Sequence, residues 1–364
     1  MRKTLTVLFS GGGSLGHLVP SLAVAEALRK IRPDIRTVFV CADREEEMQR
    51  LTEKSQRFHA LRAPKFPRGL SLSILTFPFL FLVACIRAKK ILTAEKPDLV
   101  FSKGGFVSVP VCVIAAMKKI PIVLHESDGT MSLSARIVAR LAVKICTGFP
   151  SIGLPERFSS RIRHTGNPVR REMFSGSKAA GQRITGFSGR RPVLMILGGS
   201  QGSIALNEAA AASLPSLLEY ADIIHITGVG KGIDVSHARY FARETVSDEL
   251  PHLYALADAV LSRAGAGTLC ELGVLRKAAI VVPLTGVAHD HQLRNAEFLA
   301  KKHALVLLPQ ANLRELSTVV ARLLSDEEQR HALGGALHDS FPPDAAEKIA
   351  RIILAELDDA RLES

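Results

Sequence analysis

His17 ends a glycine turn, Ser10-Gly-Gly-Gly-Ser-Leu-Gly-His17, that follows the apolar run Leu5–Phe9 and precedes an apolar segment to Arg29. At the N-terminus of a helix the macrodipole disfavours imidazolium, so the ring stays neutral near pH 7 and can accept a proton. The plain alternative is a capping or exposed histidine. A second ionisable group, His125-Glu-Ser-Asp128, closes the apolar run Ile120–Leu124. In doubly wound α/β folds, active-site groups gather at the carboxyl ends of strands. That makes Glu126 and Asp128 site candidates, against the reading that they are loop-capping acids. A third stretch, Ser262-Arg-Ala-Gly-Ala-Gly-Thr-Leu-Cys-Glu271, follows the short apolar run Ala259–Leu261. Its glycines permit a tight turn and close approach of a ligand to the main chain. The N–H groups opening the next helix form an anion site, and Glu271 can accept hydrogen bonds from a vicinal diol such as ribose. An ordinary strand-to-helix loop is the alternative.

These groups need strands and helices to hold them, and the chain repeats one unit that would do so. Thr37–Cys41, Pro97–Phe101, Lys144–Thr147, Pro192–Leu197, Ile223–Thr227 and Ala279–Leu284 read as buried parallel strands. Glycine turns follow several of them, at Gly104-Gly105 and Gly198-Gly-Ser-Gln-Gly202, and helices follow the turns, as from Ile204 through Leu218. Gln292 and Asn295, three residues apart in a helix running to Lys301, share a face. Residues 175–189, with their glycines and serines, are expected to be a loop, and Asp344–Leu357 a terminal helix. Gly166 and Pro168 make a plausible hinge. A chain of 364 residues is about two domains' worth, and the pattern predicts two Rossmann-like halves. Gly11, Gly13 and Gly16 also satisfy the dinucleotide fingerprint, with Asp43 available for the ribose, so a dinucleotide-binding oxidoreductase competes. That enzyme needs only one nucleotide half, however. Two halves suggest two ligands, one of them a nucleotide.

Charge is unevenly spread. Residues 1–170 carry 27 Lys and Arg against 12 Asp and Glu, whereas residues 171–364 carry 20 against 23. The first half alone therefore suits an anionic partner, nucleic acid or an acidic membrane. The most apolar stretch, residues 70–86, is interrupted by Ser71, Ser73, Thr76 and Pro78. It falls short of the ~20 apolar residues of a membrane span. Lys65, Arg68, Arg87, Lys89 and Lys90 flank it. Such a segment can lie in a membrane interface or form a buried helix. A mixture is expected, with one face in the core and an apolar tip exposed. Five cysteines without CxxC spacing argue for reduced thiols in a cytosolic protein, with neither disulfide frame nor zinc site. Met1-Arg-Lys-Thr runs straight into a strand, so no signal peptide is expected.

Six motifs in one order make a more specific pattern. They are Gly12-Gly-Ser-Leu-Gly-His17, Gly104-Gly-Phe-Val-Ser-Val-Pro110, His125-Glu126, Gly166-Asn-Pro-Val-Arg170, Gly198-Gly-Ser-Gln-Gly202 and the Asp290-His-Gln to Asn295-Ala run. Across almost the whole chain the sequence resembles the MurG family of bacterial peptidoglycan glycosyltransferases. The resemblance implies a GT-B fold, α/β, with two Rossmann-like parallel-sheet domains facing across a cleft. Residues 1–169 plus 341–364 would form an acceptor and membrane-docking domain, and 170–340 a UDP-GlcNAc-binding domain. It implies transfer of GlcNAc from UDP-GlcNAc to undecaprenyl-pyrophosphoryl-MurNAc-pentapeptide (lipid I), giving lipid II for peptidoglycan synthesis. No cofactor, metal or nucleic acid is implied; an anionic surface on the cytoplasmic face of the inner membrane is.

Residue by residue, the resemblance makes His17 and Glu126 catalytic. Donor contacts fall on Ser14, Leu15, Gly16, Asp128, Arg170, Ser200, Ala266, Gly267, Thr268, Leu269, Cys270, Glu271 and Gln292, with Glu271 on the ribose. Acceptor contacts fall on Gly13, Gly16, Gly104, Gly105 and Ser108, and membrane contacts on Ile74, Leu75, Phe77, Phe79, Arg87 and Lys89. Two positions depart from the family pattern. Ser14 and Leu15 replace Thr and Gly, narrowing or bending the first turn, and Asp128 replaces Asn. An extra negative charge at 128 should repel a phosphate unless it is protonated or paired.

The expected chemistry is a metal-independent, inverting displacement. The C4 hydroxyl of MurNAc attacks C1 of GlcNAc while His17 or Glu126 takes the proton. Helix N-termini and Arg170 would carry the leaving UDP, and no Asp-x-Asp sequence occurs in the chain. A UDP-sugar 2-epimerase or another UDP-sugar enzyme of this fold is the alternative, along with a UDP-GlcNAc-binding regulator that turns nothing over.

Overall fold

The computed structural model describes residues 4–13, 15–67, 73–150, 153–199, 202–286 and 290–362. The chain divides into two compact units, one of residues 1–169 and 344–364 and the other of residues 170–343.

In the first unit strands and helices alternate: β1 Thr6–Gly11, α1 Leu15–Ile31, β2 Arg36–Ala42, α2 Glu45–Glu53, β3 Phe58–Leu61, α3 Ser73–Glu95, β4 Leu99–Gly104, α4 Ser108–Met117, β5 Ile122–Glu126, α5 Leu133–Leu141, β6 Lys144–Thr147 and β7 Ile162–His164. The seven strands form one parallel sheet in the order β3-β2-β1-β4-β5-β6-β7. Strands buried on both faces explain why these runs are continuously apolar rather than alternating. One face carries Phe9, Phe39 and Phe101; Phe9 stacks on Phe39 with ring centroids 5.1 Å apart. Leu8, Val40, Val100 and Leu124 fill the other face under α3, α4 and α5.

The second unit is built the same way, with α6 Lys178–Thr185, β8 Val193–Leu197, α7 Ile204–Tyr220, β9 Asp222–Ile226, β10 Tyr240–Arg243, α8 Leu250–Leu256, β11 Ala259–Ser262, α9 Ala266–Val274, β12 Ala278–Val281, α10 His291–Ala300, β13 Val306–Leu307, α11 Leu316–Ser325 and α12 Glu327–Ser340. Its six strands are parallel in the order β10-β9-β8-β11-β12-β13. The last helix, α13 Ala345–Leu362, returns to the first unit. Its apolar face, with Ile349, Ile353 and Leu357, packs in the cluster that holds Val24 and Leu28 of α1, and Lys144 on β6 pairs with Glu356 at 3.4 Å.

Both sheets reverse strand order once, between β1 and β4 in one and between β8 and β11 in the other. Ligands of open parallel sheets bind beyond the strand ends at such a switch point. The four turns singled out in the sequence are the four that follow these strands.

Residues 175–189 are not one loop. Ser177 accepts a hydrogen bond from Ala180 N as the N-cap of α6. Gly181, one of the glycines behind the loop expectation, lies inside the helix. A Cβ on it would come 2.5 Å from the carbonyl oxygen of His252 in α8, so close helix packing explains the residue. No two cysteines are bridged; Cys41, Cys85, Cys112, Cys146 and Cys270 are buried thiols.

Candidate active site

At the first switch point the turns after β1 and β4 press against each other. Gly105 has φ of +82°, and a Cβ on it would stand 2.5 Å from the carbonyl oxygen of Gly12 and 3.4 Å from the His17 ring. Only glycine fits where those groups pass. Gly104 also has positive φ. Ser108 Oγ is fully buried, 2.6 Å from Gly104 O and 2.9 Å from Ser10 O, so it ties the two strand ends together from beneath. Gly13 N donates to Glu47 Oε1 at 2.7 Å, and Ala42 N donates to Glu47 Oε2 at 2.9 Å. That buried carboxylate fixes the turn to the end of β2. Gly16 is exposed in the first turn of α1, which starts at Leu15; Ser14 lies outside the described residues.

His17 is half-buried beside these turns. Its pKa falls to about 4, first because burial penalises the imidazolium and next because Lys103 is near; a hydrogen bond with the Gly12 backbone opposes both. The ring is therefore neutral at pH 7, as the helix-end reasoning expected, but burial and a lysine are the causes.

Lys103 stands at the end of β4 with 3% of its surface exposed, and its Nζ donates to Ser127 Oγ. Ser127 sits between Glu126 and Asp128. Glu126 is also buried; its Oε1 accepts from Asp128 N at 3.2 Å. Its pKa rises to about 7, driven by burial and then by Asp128, with Lys103 pulling the other way. A carboxyl group that titrates near neutrality is suited to proton transfer at that pH.

The loop holding these acids is anchored from below. His125 is fully buried, and its Nε2 lies 3.0 Å from Gly166 O. Burial pushes its pKa well below the usual imidazole value. Neutral His125 thus carries its proton on Nε2 and donates to that carbonyl. Asn167 Nδ2 donates to Ser127 O at 3.0 Å. The His125-Glu126 and Gly166-Asn167 motifs are therefore one structural clamp.

The second switch point is dominated by fixed charge. Arg263, at the end of β11, is buried, and its Nε and Nη2 donate to Ser203 Oγ at 3.1 and 2.8 Å, while Nη1 donates to Val282 O at 3.2 Å. Ser203 is the N-cap of α7, so this one guanidinium joins three strand or helix ends. Among the described residues no carboxylate pairs with Arg263, and burial alone lowers its pKa. A buried cation without an anion is costly, which a bound anion would relieve.

Glu271 lies in the second turn of α9. Its Oε2 accepts from Tyr254 OH at 3.2 Å, and Arg170 Nη2 approaches Oε1 at 3.9 Å. Burial raises the Glu271 pKa while Arg170 opposes. Arg170 Nε is itself buried with no partner among the described residues. Gly267 is exposed and Thr268 half-buried, whereas Ala266, Leu269 and Cys270 turn into the core. Of that run, then, the main chain and Thr268 face outward. Gln292 Oε1 accepts from Leu284 N at 3.1 Å, and the buried Asn295 Nδ2 donates to Ala264 O at 3.4 Å, so α10 braces the turns after β12 and β11. Ser200 lies outside the described residues.

The comparisons of whole sequences decide the family. Residues 7–147 match the glycosyltransferase family 28 N-terminal domain, and residues 193–349 match the glycosyltransferase family 28 C-terminal domain. The chain belongs to glycosyltransferase family 28. It is 36% identical over 354 residues to the UDP-N-acetylglucosamine--N-acetylmuramyl-(pentapeptide) pyrophosphoryl-undecaprenol N-acetylglucosamine transferase of Lachnoclostridium phytofermentans, covering 95% of this chain and 98% of that protein. Among solved structures, Acinetobacter baumannii MurG superposes with a TM-score of 0.74 at 22% identity, over 96% of this chain and 99% of that one. The UDP-GlcNAc 2-epimerase of Neisseria meningitidis bound to UDP-GlcNAc gives 0.66 at 14% identity, over 96% and 100%. At such identities these likenesses speak for the GT-B fold, which transferases and epimerases share.

In this family 28 chain, residue types and spacing point to His17, Glu126, Asp128, Arg170 and Glu271 but not to Lys103, Arg263 and Glu47. A lysine directly after the Leu99–Ser102 run and an arginine directly after Ala259–Ser262 are the available signals. A charge at the carboxyl end of a buried strand has to be compensated by something. Among the described residues no group of three or more His, Cys, Asp or Glu could hold a metal ion, and no helix is long and apolar enough to cross a membrane. In α3, Ala84, Cys85, Ala88 and Leu92 are buried while Ile74, Leu75, Phe79, Leu80, Leu82 and Ile86 are exposed. Phe77 packs between Phe66 and Phe81, and Arg87, Lys89 and Lys90 are exposed along the same helix.

Proposed function

We propose that this chain transfers GlcNAc from UDP-GlcNAc to the MurNAc unit of a lipid-linked pyrophosphoryl acceptor, lipid I, producing lipid II. Family membership and the name of the Lachnoclostridium relative, matched over nearly both full lengths, favour a transferase over the epimerases that share the fold. The observation that carries the division of roles is the contrast between the two switch points. One gathers neutral His17, buried Lys103 and a carboxyl group titrating near 7; the other presents a buried guanidinium with no carboxylate paired to it among the described residues. The first suits deprotonation of an acceptor hydroxyl, and the second suits a nucleoside diphosphate.

In this reading residues 1–169 with the terminal helix hold the acceptor, and the second unit holds UDP-GlcNAc. The C4 hydroxyl of MurNAc attacks C1 of GlcNAc from the face opposite UDP, with inversion. Glu126 takes the proton, since a base of pKa near 7 is better matched to neutral pH than His17 at about 4; neutral His17 is left to hydrogen-bond the acceptor. Arg263, Arg170 and the N-termini of α7 and α9 stabilise the departing diphosphate. Glu271 accepts from the ribose. Gly13, Gly104 and Gly105 shape the acceptor pocket. No metal ion is assigned a step.

The apolar, basic-flanked face of α3 docks on the anionic cytoplasmic surface of the inner membrane, where each lysine or arginine near anionic lipid adds about 1 kcal/mol. The test is transfer of radiolabelled GlcNAc to a lipid I analogue in excess EDTA. Labelled lipid II is expected. Free UDP-ManNAc as sole product would turn the assignment to an epimerase, and loss of transfer restored only by Mg²⁺ would remove the metal-free step.

A further inference from the structure

The charged group of the first unit that departs most from expectation is Lys103. β4 is buried along its length, and a lysine near its end is placed under the glycine turn, where a Cβ on Gly11 would stand 3.1 Å from Lys103 Cβ. From there Nζ reaches Ser127 Oγ, in a segment with a carboxylate on either side of that serine. Two carboxylates held together in a low-dielectric site cannot both ionise without a cation between them.

We propose that Lys103 is the positioning and charge-setting residue of the acceptor-side centre: its ammonium group holds Ser127 and offsets the charge of Asp128, so that Glu126 beside it can ionise and take the acceptor proton. The proposal rests on the reading of Glu126 as the base. The groups facing that carboxyl are Lys103 from β4 and Asp128 from its own loop; His17 on α1 and His125 on β5 face Lys103. Thr147, its register partner on β6, and Asn167 are polar but do not titrate here. The electrostatics agree. Burial and Asp128 push the Glu126 pKa up and Lys103 pushes it down; burial lowers the Lys103 pKa, and Glu126 and Asp128 oppose that fall. Lys103 also helps to keep His17 neutral.

Two measurements on the full chain separate this role from direct binding of the acceptor's phosphates. The first is the titration midpoint of Glu126, followed by carboxyl-¹³C glutamate NMR and assigned by its loss in Glu126→Gln. The second is kcat/KM for a lipid I analogue against pH. Lys103→Met removes charge and hydrogen bond; Lys103→Gln keeps a donor for Ser127 and removes only charge. Either variant that retains the wild-type melting temperature serves. Both are expected to raise the Glu126 midpoint by about one pH unit or more, with turnover at pH 7 falling about tenfold and recovering above about pH 8.5. The sign follows from losing the cation that favours the carboxylate. Asp128→Asn should lower the midpoint, and the double variant Lys103→Met with Asp128→Asn should return it towards wild type. An unmoved midpoint in both lysine variants overturns the proposal, as does a raised acceptor KM at every pH without a shift. A midpoint that moves while the acid limb of kcat/KM stays fixed upholds charge setting by Lys103 and instead removes Glu126 as the base.

Discussion

The two parallel sheets present the same architecture to different chemistry. In the first unit, the groups at the strand ends are titratable and mutually adjusting: His17 at about 4, Glu126 at about 7, and Lys103, lowered by burial, acting on both. In the second, the corresponding positions hold Arg263, locked by three hydrogen bonds, and Glu271 with Arg170 beside it. A group that must gain and lose a proton needs a pKa near the working pH, which burial and a neighbouring cation supply. A group that must hold a diphosphate needs a charge that cannot be titrated away, which is what guanidinium offers. The shared scaffold therefore fixes where function sits, and the residue at each strand end fixes which function it is.

The contrast can be broken by variants, of which the largest effect is expected at Glu126. Replacing it with glutamine should lower kcat by 10²–10⁴-fold, the range for loss of a general base, with UDP affinity by calorimetry unchanged. Equal loss of UDP binding would erase the division of labour. Arg263→Met should act the other way, weakening UDP by about 10- to 150-fold, since hydrogen bonds to charged groups contribute ~1.5–3 kcal/mol; the acid limb of the pH profile should not move. Glu271→Gln should cost about tenfold in UDP affinity, and the sharper reading is selectivity. Wild type should prefer UDP over its 2′,3′-dideoxy analogue, and the variant should lose that preference. The smallest effect on chemistry is expected from Leu75→Ser with Phe79→Ser on α3. Flotation with anionic vesicles should fall about tenfold or more, as two apolar side chains leave the interface, while turnover of a water-soluble acceptor analogue stays the same. If turnover fell as well, α3 would be part of the acceptor pocket.

Much of this was legible in the amino-acid order because the information is local. An apolar run followed by glycines and an amphipathic segment reports a strand, a turn and a helix, and the four turns at the switch points were visible for that reason. What remained hidden depends on partners far away in sequence. Gly181 argued for a loop until α8 was seen packed against it. His125 and Asn167 lie 42 residues apart and reveal a shared role only through their bonds to Gly166 O and Ser127 O. Ser108, expected on the acceptor, is enclosed between Ser10 and Gly104. His17 is neutral, as its place at a helix end suggests, yet the cause, burial next to a lysine, is a property of the assembled sheet.

The return of α13 to the first unit orders events at the ribosome. Synthesis of the first sheet is finished long before Ala345 appears, yet Val24 and Leu28 wait for Ile349, Ile353 and Leu357 to cover them. All of Arg170–Pro343 must be translated in between. A nascent or prematurely terminated chain therefore exposes an oily seam on its amino-terminal lobe, a natural handle for chaperones and proteases. Only a polypeptide translated through Leu357 closes it.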